Sequence, residues 1–212
     1  MKQLITACTF QKYHTCFTYV TRALLLFSVV VLSACIGNTP VAYYSPSIYS
    51  LQQGMPLGSS LVTIARVDVP AAVSRPSLVL IDAKGAITVS SQHLWVDPLK
   101  DSVRLSLATE LSKVPMQDAE QATVSIRFDA IHLYTDSESV FLSGEYHISK
   151  PGTAAPVQMA FGIAEDRFAA AKISNKISDQ KVLRLVRSLH AALTILAKDI
   201  AQNSTKLNEA KG

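Results

Sequence analysis

Residues 122–134 read ATVSIRFDAIHLY, 135–139 TDSES and 140–149 VFLSGEYHIS, and this stretch decides the fold. Val124, Ile126, Phe128 and Ala130 alternate along the first run; Val140, Leu142, Gly144, Tyr146 and Ile148 alternate along the second. A period of two with one apolar face is the mark of a strand lying on a core. Both apolar sets share that core if 126 faces 148, 128 faces 146 and 130 faces 144, whereas a slip by one residue turns a whole set outward. The turn around Ser137 is then expected to hold an odd number of residues, three or five and not four. In this register the outer face carries Arg127, Asp129, Glu145 and His147. Ile131, Leu133 and Phe141 gather near the tip, as an exposed apolar interface or under a second layer of core.

The flanking sequence supplies the other layer. Residues 61–69 (LVTIARVDV) are β-rich and stop at Pro70. Residues 78–81 and 86–90 form a hairpin about Asp82–Gly85, and 156–163 form a further strand. Asp97-Pro98 is expected to open a helix, with Asp97 as N-cap and Pro98 at the first helical position. Leu99, Val103, Leu107, Leu111 and Val114 give that helix one apolar face, and Pro115 ends it. A second helix begins at Ser178 or Asp179, with Val182, Leu185, Val186, Leu189, Leu193, Leu196 and Ile200 on one side. Its polar side mixes both signs of charge, which favours packing on the sheet over lying on a membrane. The expectation is an α+β fold: a two-layer sandwich of a mostly antiparallel sheet with both helices (98–114 and 178–201) on one face. Residues 202–212 read as a frayed polar tail.

Residues 23–34 (ALLLFSVVVLSA) carry no charge, follow Arg22, and have Lys2 and Lys12 upstream with no acidic residue before Asp68. A basic start, an apolar run and small residues at its end make a secretory signal. The run falls short of the roughly 20 apolar residues that a bilayer span requires. Leu32-Ser33-Ala34-Cys35 resembles the lipobox of bacterial lipoproteins. The resemblance implies cleavage before Cys35, diacylglycerol on its thiol and an acyl chain on the freed amine. Residues 1–34 are then the signal, 35–60 a lipidated tether rich in Gly, Pro, Ser, Asn and Gln, and 61–201 the domain. Tyr43 and Tyr44 are expected to dock on that domain as an edge segment. An Asp after the cysteine commonly holds such proteins at the inner membrane; Ile36 stands here, which implies the periplasmic face of the outer membrane.

Removing residues 1–34 takes away Lys2, Lys12 and Arg22 and lowers the net charge from +4 to +1. No basic stripe survives for nucleic acid. Cys8 and Cys16 leave with the signal, so Cys35 stands alone and no intramolecular disulfide can form. The chain has no GxSxG elbow, phosphate-cradling glycine loop or HExxH pair. In the register above, His132 faces Leu142 and His147 faces Arg127 on opposite sides of the sheet, too far apart for a shared metal. Asp129 would lie opposite Glu145, but beside Arg127 and His147 on the solvated side, where a charge cluster is the better reading than a catalytic pair. Catalysis, a metal and a diffusible cofactor are not expected; the only added groups are the lipids on Cys35.

Tyr43-Tyr44, Val67-Asp68-Val69-Pro70, Leu94-Trp95-Val96-Asp97-Pro98-Leu99 and residues 140–146, followed by the long final helix, occur in a characteristic order. In this the chain resembles the PqiC family of ABC-transport auxiliary lipoproteins, over most of residues 35–201. Trp95, just before a helix, reads as an apolar anchor for the fold ahead of a ligand contact. The resemblance implies a non-catalytic accessory at the outer-membrane end of an MCE-type lipid transport system, with the MCE protein and membrane lipid as partners and self-association left open. A lipid-binding shuttle or chaperone is the alternative. It predicts bound lipid on protein purified without its anchor, whereas an accessory co-purifies with an MCE protein. An exported hydrolase ranks third and requires a turnover abolished by one Ser or His substitution.

Overall fold

The structure, a computed structural model, describes residues 40–48, 62–114, 121–152, 155–165 and 177–209. The lipobox residues Leu32, Ser33, Ala34 and Cys35, the signal, most of the tether and Pro115 lie outside them. In chain order the elements are β1 (Ala42–Tyr44), β2 (Val62–Asp68), β3 (Ser77–Ile81), β4 (Ile87–Trp95), α1 (Leu99–Lys113), β5 (Ala122–Tyr134), β6 (Ser139–Ser149), β7 (Val157–Glu165) and α2 (Asp179–Glu209). The strands form one sheet in the order β1-β4-β3-β5-β6-β7, with β2 pairing β5 as well. On its free side β5 is long enough to hold both β2, along Ala122–Arg127, and the end of β3, at Tyr134.

The fold is α+β, as expected, and its sheet is mixed. The β3–β4, β5–β6 and β6–β7 pairs are antiparallel, while β1–β4, β2–β5 and β3–β5 are parallel. Parallel neighbours need a long crossover. The β3–β4 hairpin and α1 provide it between β2 and β5, and such pairings between remote segments leave no local mark in a sequence.

Both long strands occupy their expected ranges, but their register differs. Ile126 pairs with Tyr146 and Phe128 with Gly144, two residues from the expected alignment. The parity is right, so Val124, Ile126, Phe128, Tyr146 and Ile148 are all buried. Beyond Phe128 the strand carries a β-bulge at Asp129: Ala130 pairs with Ser143, Ile131 with Leu142 and Leu133 with Val140. The extra residue turns the strand so that odd-numbered positions point inward past it. It also makes the turn even: Tyr134 pairs with Ser139 across the four residues Thr135–Glu138, where three or five had been expected.

Helix α1 starts one residue later than the Asp-Pro motif suggested. Pro98 is the N-cap, with ψ at 130°, no side chain caps the helix, and Asp97 is exposed. Pro98 is itself extended, so it takes the N-cap position and leaves Asp97 one residue outside the helix. At the other end Val114, held out of the helical region by the proline that follows it, is extended with ψ at 119°. Leu99, Val103, Leu107 and Leu111 are buried as the spacing required. α1 packs on β2 and α2, and α2 packs on β5, β6 and β7.

Helix α2 does not fray after Ala201 but runs on to Glu209. The Lys150 ammonium donates to the Ser204 carbonyl at 2.7 Å, and the Asn203 amide donates to the Tyr146 hydroxyl at 2.7 Å. Those bonds hold a polar stretch on the sheet that propensity alone would release. Among the described residues, no helix is long and apolar enough to cross a membrane.

Candidate functional site

The corner where β1, β4 and α1 meet gathers the aromatic and proline residues singled out above. Tyr43 pairs with Leu94 and Tyr44 with Trp95, in parallel. The Trp95 N–H donates to the Pro76 carbonyl at 2.7 Å, and the Val96 N–H to the Tyr44 carbonyl at 2.9 Å. Tyr44, Trp95 and Leu99 are buried, Leu94 is half-buried, and Asp97 and Pro98 are exposed. Ser45 continues the contact, its hydroxyl 3.4 Å from that of Ser102 in α1. Trp95 is therefore the apolar anchor its place in the sequence suggested. Strand alternation sends Tyr43 the other way, leaving it 63% exposed.

Of the two alternatives for the hairpin tip, the exposed apolar interface does not hold for Ile131 and Leu133. Ile131 and Leu133 are 3% and 2% exposed and belong to the core, because the bulge at Asp129 rotates them inward. Phe141 stays half-buried on the opposite face, its ring 6.2 Å from that of His132. His132 and His147 consequently share the outer face. His132 pairs with Phe141, and His147 lies six residues beyond Phe141 on β6, or about 20 Å at strand spacing. Among the described residues, no three His, Cys, Asp or Glu side chains converge as a metal site would require. Glu145 lies opposite Arg127 and not Asp129; the Arg127 guanidinium is 3.0 Å from Glu145 and 3.5 Å from Asp129, as a solvated charge cluster.

One arrangement was hidden in the sequence. Between Val89 and Leu94, strand β4 bulges against Leu78, and there the Ser90 hydroxyl is hydrogen-bonded with His93 Nδ1 at 2.7 Å. His93 Nε2 lies 3.1 Å from the Asp179 carboxylate, at the first residue of α2. Serine, histidine and aspartate in a line are the residue types of nucleophilic catalysis. The Ser90 oxygen, however, also accepts the backbone N–H groups of His93 at 3.1 Å and Gln92 at 3.3 Å. Both its lone pairs are engaged in the turn, so it has none to offer a carbonyl. The line works as a brace: the imidazole, buried beside the Tyr44 ring at 5.8 Å, carries its proton on Nε2 and ties the bulge to the helix start. The Ser-x-x-His spacing was legible; Asp179, 86 residues on, was not.

A second polar cluster fixes the far end of α2. The buried Tyr146 hydroxyl donates to Asp199 at 2.7 Å and accepts from Asn203. Burial, reinforced by that bond to the Asp199 carboxylate, pushes the phenol well above its usual range. Near the hairpin tip, Glu138 adopts φ of 52°, and its buried carboxylate accepts from both Nε and a terminal nitrogen of the Arg184 guanidinium in α2. A non-glycine residue in that conformation is strained unless something holds it; the two-pronged ion pair does so here.

Concavities among the described residues include two at the ends of β1, β3 and β4. One, of about 440 Å³, lies at the end of the β3–β4 hairpin, with Leu80, Ile81, Asp82, Asp136, Ile177 and Lys181 among its lining. The other, of about 280 Å³, is a shallow groove between β1 and α2, lined by Tyr43, Tyr44, Ile48, Leu183, Val186 and Arg187 among others.

Comparison with known proteins places this geometry. No curated protein sequence matches the chain. Several solved chains share the fold, among them the following two. One, described only as an uncharacterized protein, is 18% identical with a TM-score of 0.52, over 78% of this chain and 99% of its own. The other, protein XCC0632 from Xanthomonas campestris, of the DUF330 family, is 12% identical with a TM-score of 0.51, over 82% and 97%. Residues 49–201 match the family model described as ABC-type transport auxiliary lipoprotein component. With a match across most of its length, from before β2 deep into α2, the chain belongs to that family of ABC-type transport auxiliary lipoprotein components.

Proposed function

We propose that this lipoprotein is the non-catalytic accessory of an MCE-type intermembrane lipid transport system, anchored on the periplasmic face of the outer membrane by acyl chains on Cys35. The observation that carries the reading is the family match over residues 49–201, to a component that assists an ABC-type transporter. The leader and Leu32-Ser33-Ala34-Cys35 support the anchor, and Ile36 in place of an acidic residue supports the outer membrane. Several buried acyl chains, at about 0.8 kcal/mol per CH₂, make release negligible.

A binding role also suits the interior. Between the layers, Leu99, Val103 and Leu107 of α1 and Leu185, Leu189 and Leu193 of α2 are wholly buried with Val124, Val140 and Leu142 of the sheet. Packing of that kind among the described residues leaves the accessory reading ahead of a shuttle holding an acyl chain inside.

Crosslinking the native protein in cells, with identification of the captured chains, tests the role. An MCE protein among them is the expected result. Recovery of outer-membrane assembly factors with no MCE protein refutes it. Cys35→Ala tests the anchor: the variant should be found unacylated and off the membrane, and normal processing with retained palmitate labelling rules the anchor out.

A further inference from the structure

We infer that the face made by Val41, Tyr43, Ile48 and Leu183 rests on the lipid surface to which Cys35 is joined, and so sets the orientation of the domain. The inference deepens the anchoring reading above and rests on it.

Isolated apolar residues on a surface need no explanation; these four lie together. Val41, Tyr43 and Ile48 are 45%, 63% and 44% exposed, all from the segment that enters the fold, and Leu183 is 37% exposed in the first turns of α2. Tyr43, Ile48 and Leu183 line the same groove, as does Arg187, one turn beyond Leu183. Tyrosine is suited to such a place, with an apolar ring and a hydroxyl that stays wet, which is why it gathers at membrane–water boundaries.

The length of chain says what the face meets. Only five residues, 36–40, separate Cys35 from Val41. Fully extended, that connection spans at most about 20 Å. With the thiol's acyl chains in the leaflet, the face at Val41 is held within that distance of the headgroups. Tethering turns weak contact into an intramolecular event at high effective concentration. Apolar residues 87 and 89, also exposed, lie toward the other end of β4; across the bulge, Ile87 sits four β3 positions, roughly 13 Å, from the level of Leu94, where Tyr43 pairs.

The test uses the mature acylated protein in vesicles of phosphatidylethanolamine and phosphatidylglycerol doped with brominated phosphatidylcholine. Tryptophan is introduced by Tyr43→Trp or, for comparison, Ile87→Trp, and the signal of buried Trp95 is subtracted using the wild type. Bromine quenching at position 43 is expected to be at least about threefold stronger than at 87, with emission shifting blue on reconstitution. Equal quenching in protein that floats with the vesicles overturns the orientation and leaves the anchor standing. Emission at 43 already blue without lipid and unmoved by it also overturns the orientation, showing the groove covered by a second copy or by residues 49–61. Wild type that fails to float overturns the anchor at Cys35 and this inference with it.

Discussion

Deleting one residue from the middle of a central strand normally ruins a sheet, yet removal of Asp129 from β5 is expected to be tolerated. Asp129 is the extra residue of the bulge: Phe128 already pairs with Gly144 and Ala130 with Ser143. Without it, Phe128 points in, Ala130 out and Ile131 in, which is the present burial pattern with the bulge closed. What is lost is local twist and an exposed contact to Arg127, for a cost of about 1 kcal/mol. Deletion of Ser125, four residues away, has no such slack. With residues 126–134 held in place, Val124 and Ala122 turn outward and Thr123 turns in. Exposing Val124 costs about 1.5–3 kcal/mol, and an unsatisfied Thr123 hydroxyl about 1–3 kcal/mol more. Holding the first half instead exposes Ile126 and Phe128, which costs more. Urea unfolding of the mature protein carrying Cys35→Ser, followed by circular dichroism, measures both. The two deletions should differ by about 2–5 kcal/mol. Equal losses would falsify the assignment of Asp129 as the residue that sets which side chains face the core.

Three further outcomes follow from the packing. A methyl group at Gly144 would run into the Arg127 carbonyl and approach the Phe128 Cα to 2.9 Å, so Gly144→Ala should cost about 3 kcal/mol or more; a wild-type urea midpoint refutes that close approach. Trp95→Ala should cost about 3–5 kcal/mol, and a negligible change shows that the β1–β4–α1 corner stands without its anchor. Tyr146→Phe should lose about 1.5–3 kcal/mol near neutrality, through the bond to Asp199. Because folding raises the phenol above its ordinary value of 10.0, its contribution is whole below that pH. Above it the unfolded chain ionises first, so wild-type stability should fall more steeply with rising pH than that of Tyr146→Phe; parallel pH profiles contradict the buried bond.

Much of this molecule could be read along the chain, because the signals concerned are local. Alternation over 122–134 and 140–149 and helical spacing from Leu99 to Leu111 and Val182 to Ile200 each follow from which side of an element touches water. The Asp-Pro start of α1 was local too, though the helix begins one residue later, with Pro98 extended at its N-cap. Candidate residues divide in the same way. Trp95 and Tyr44 were legible as core because large aromatics next to element ends bury area. Asp179, which completes the Ser90–His93 line, was not, since it stands 86 positions beyond His93.

By itself the sequence determined the main strands and helices, the inward faces of both helices, and the inward face and parity of the central hairpin as far as Phe128. Only the tertiary structure decided the bulge at Asp129, and with it the burial of Ile131 and Leu133, the four-residue turn, the parallel pairings and the continuation of α2 to Glu209. The reason is one of range. Periodicity reports how each residue meets solvent, whereas a slip of two residues keeps every apolar side chain inward, so contacts between distant segments must choose among registers that the pattern leaves equal.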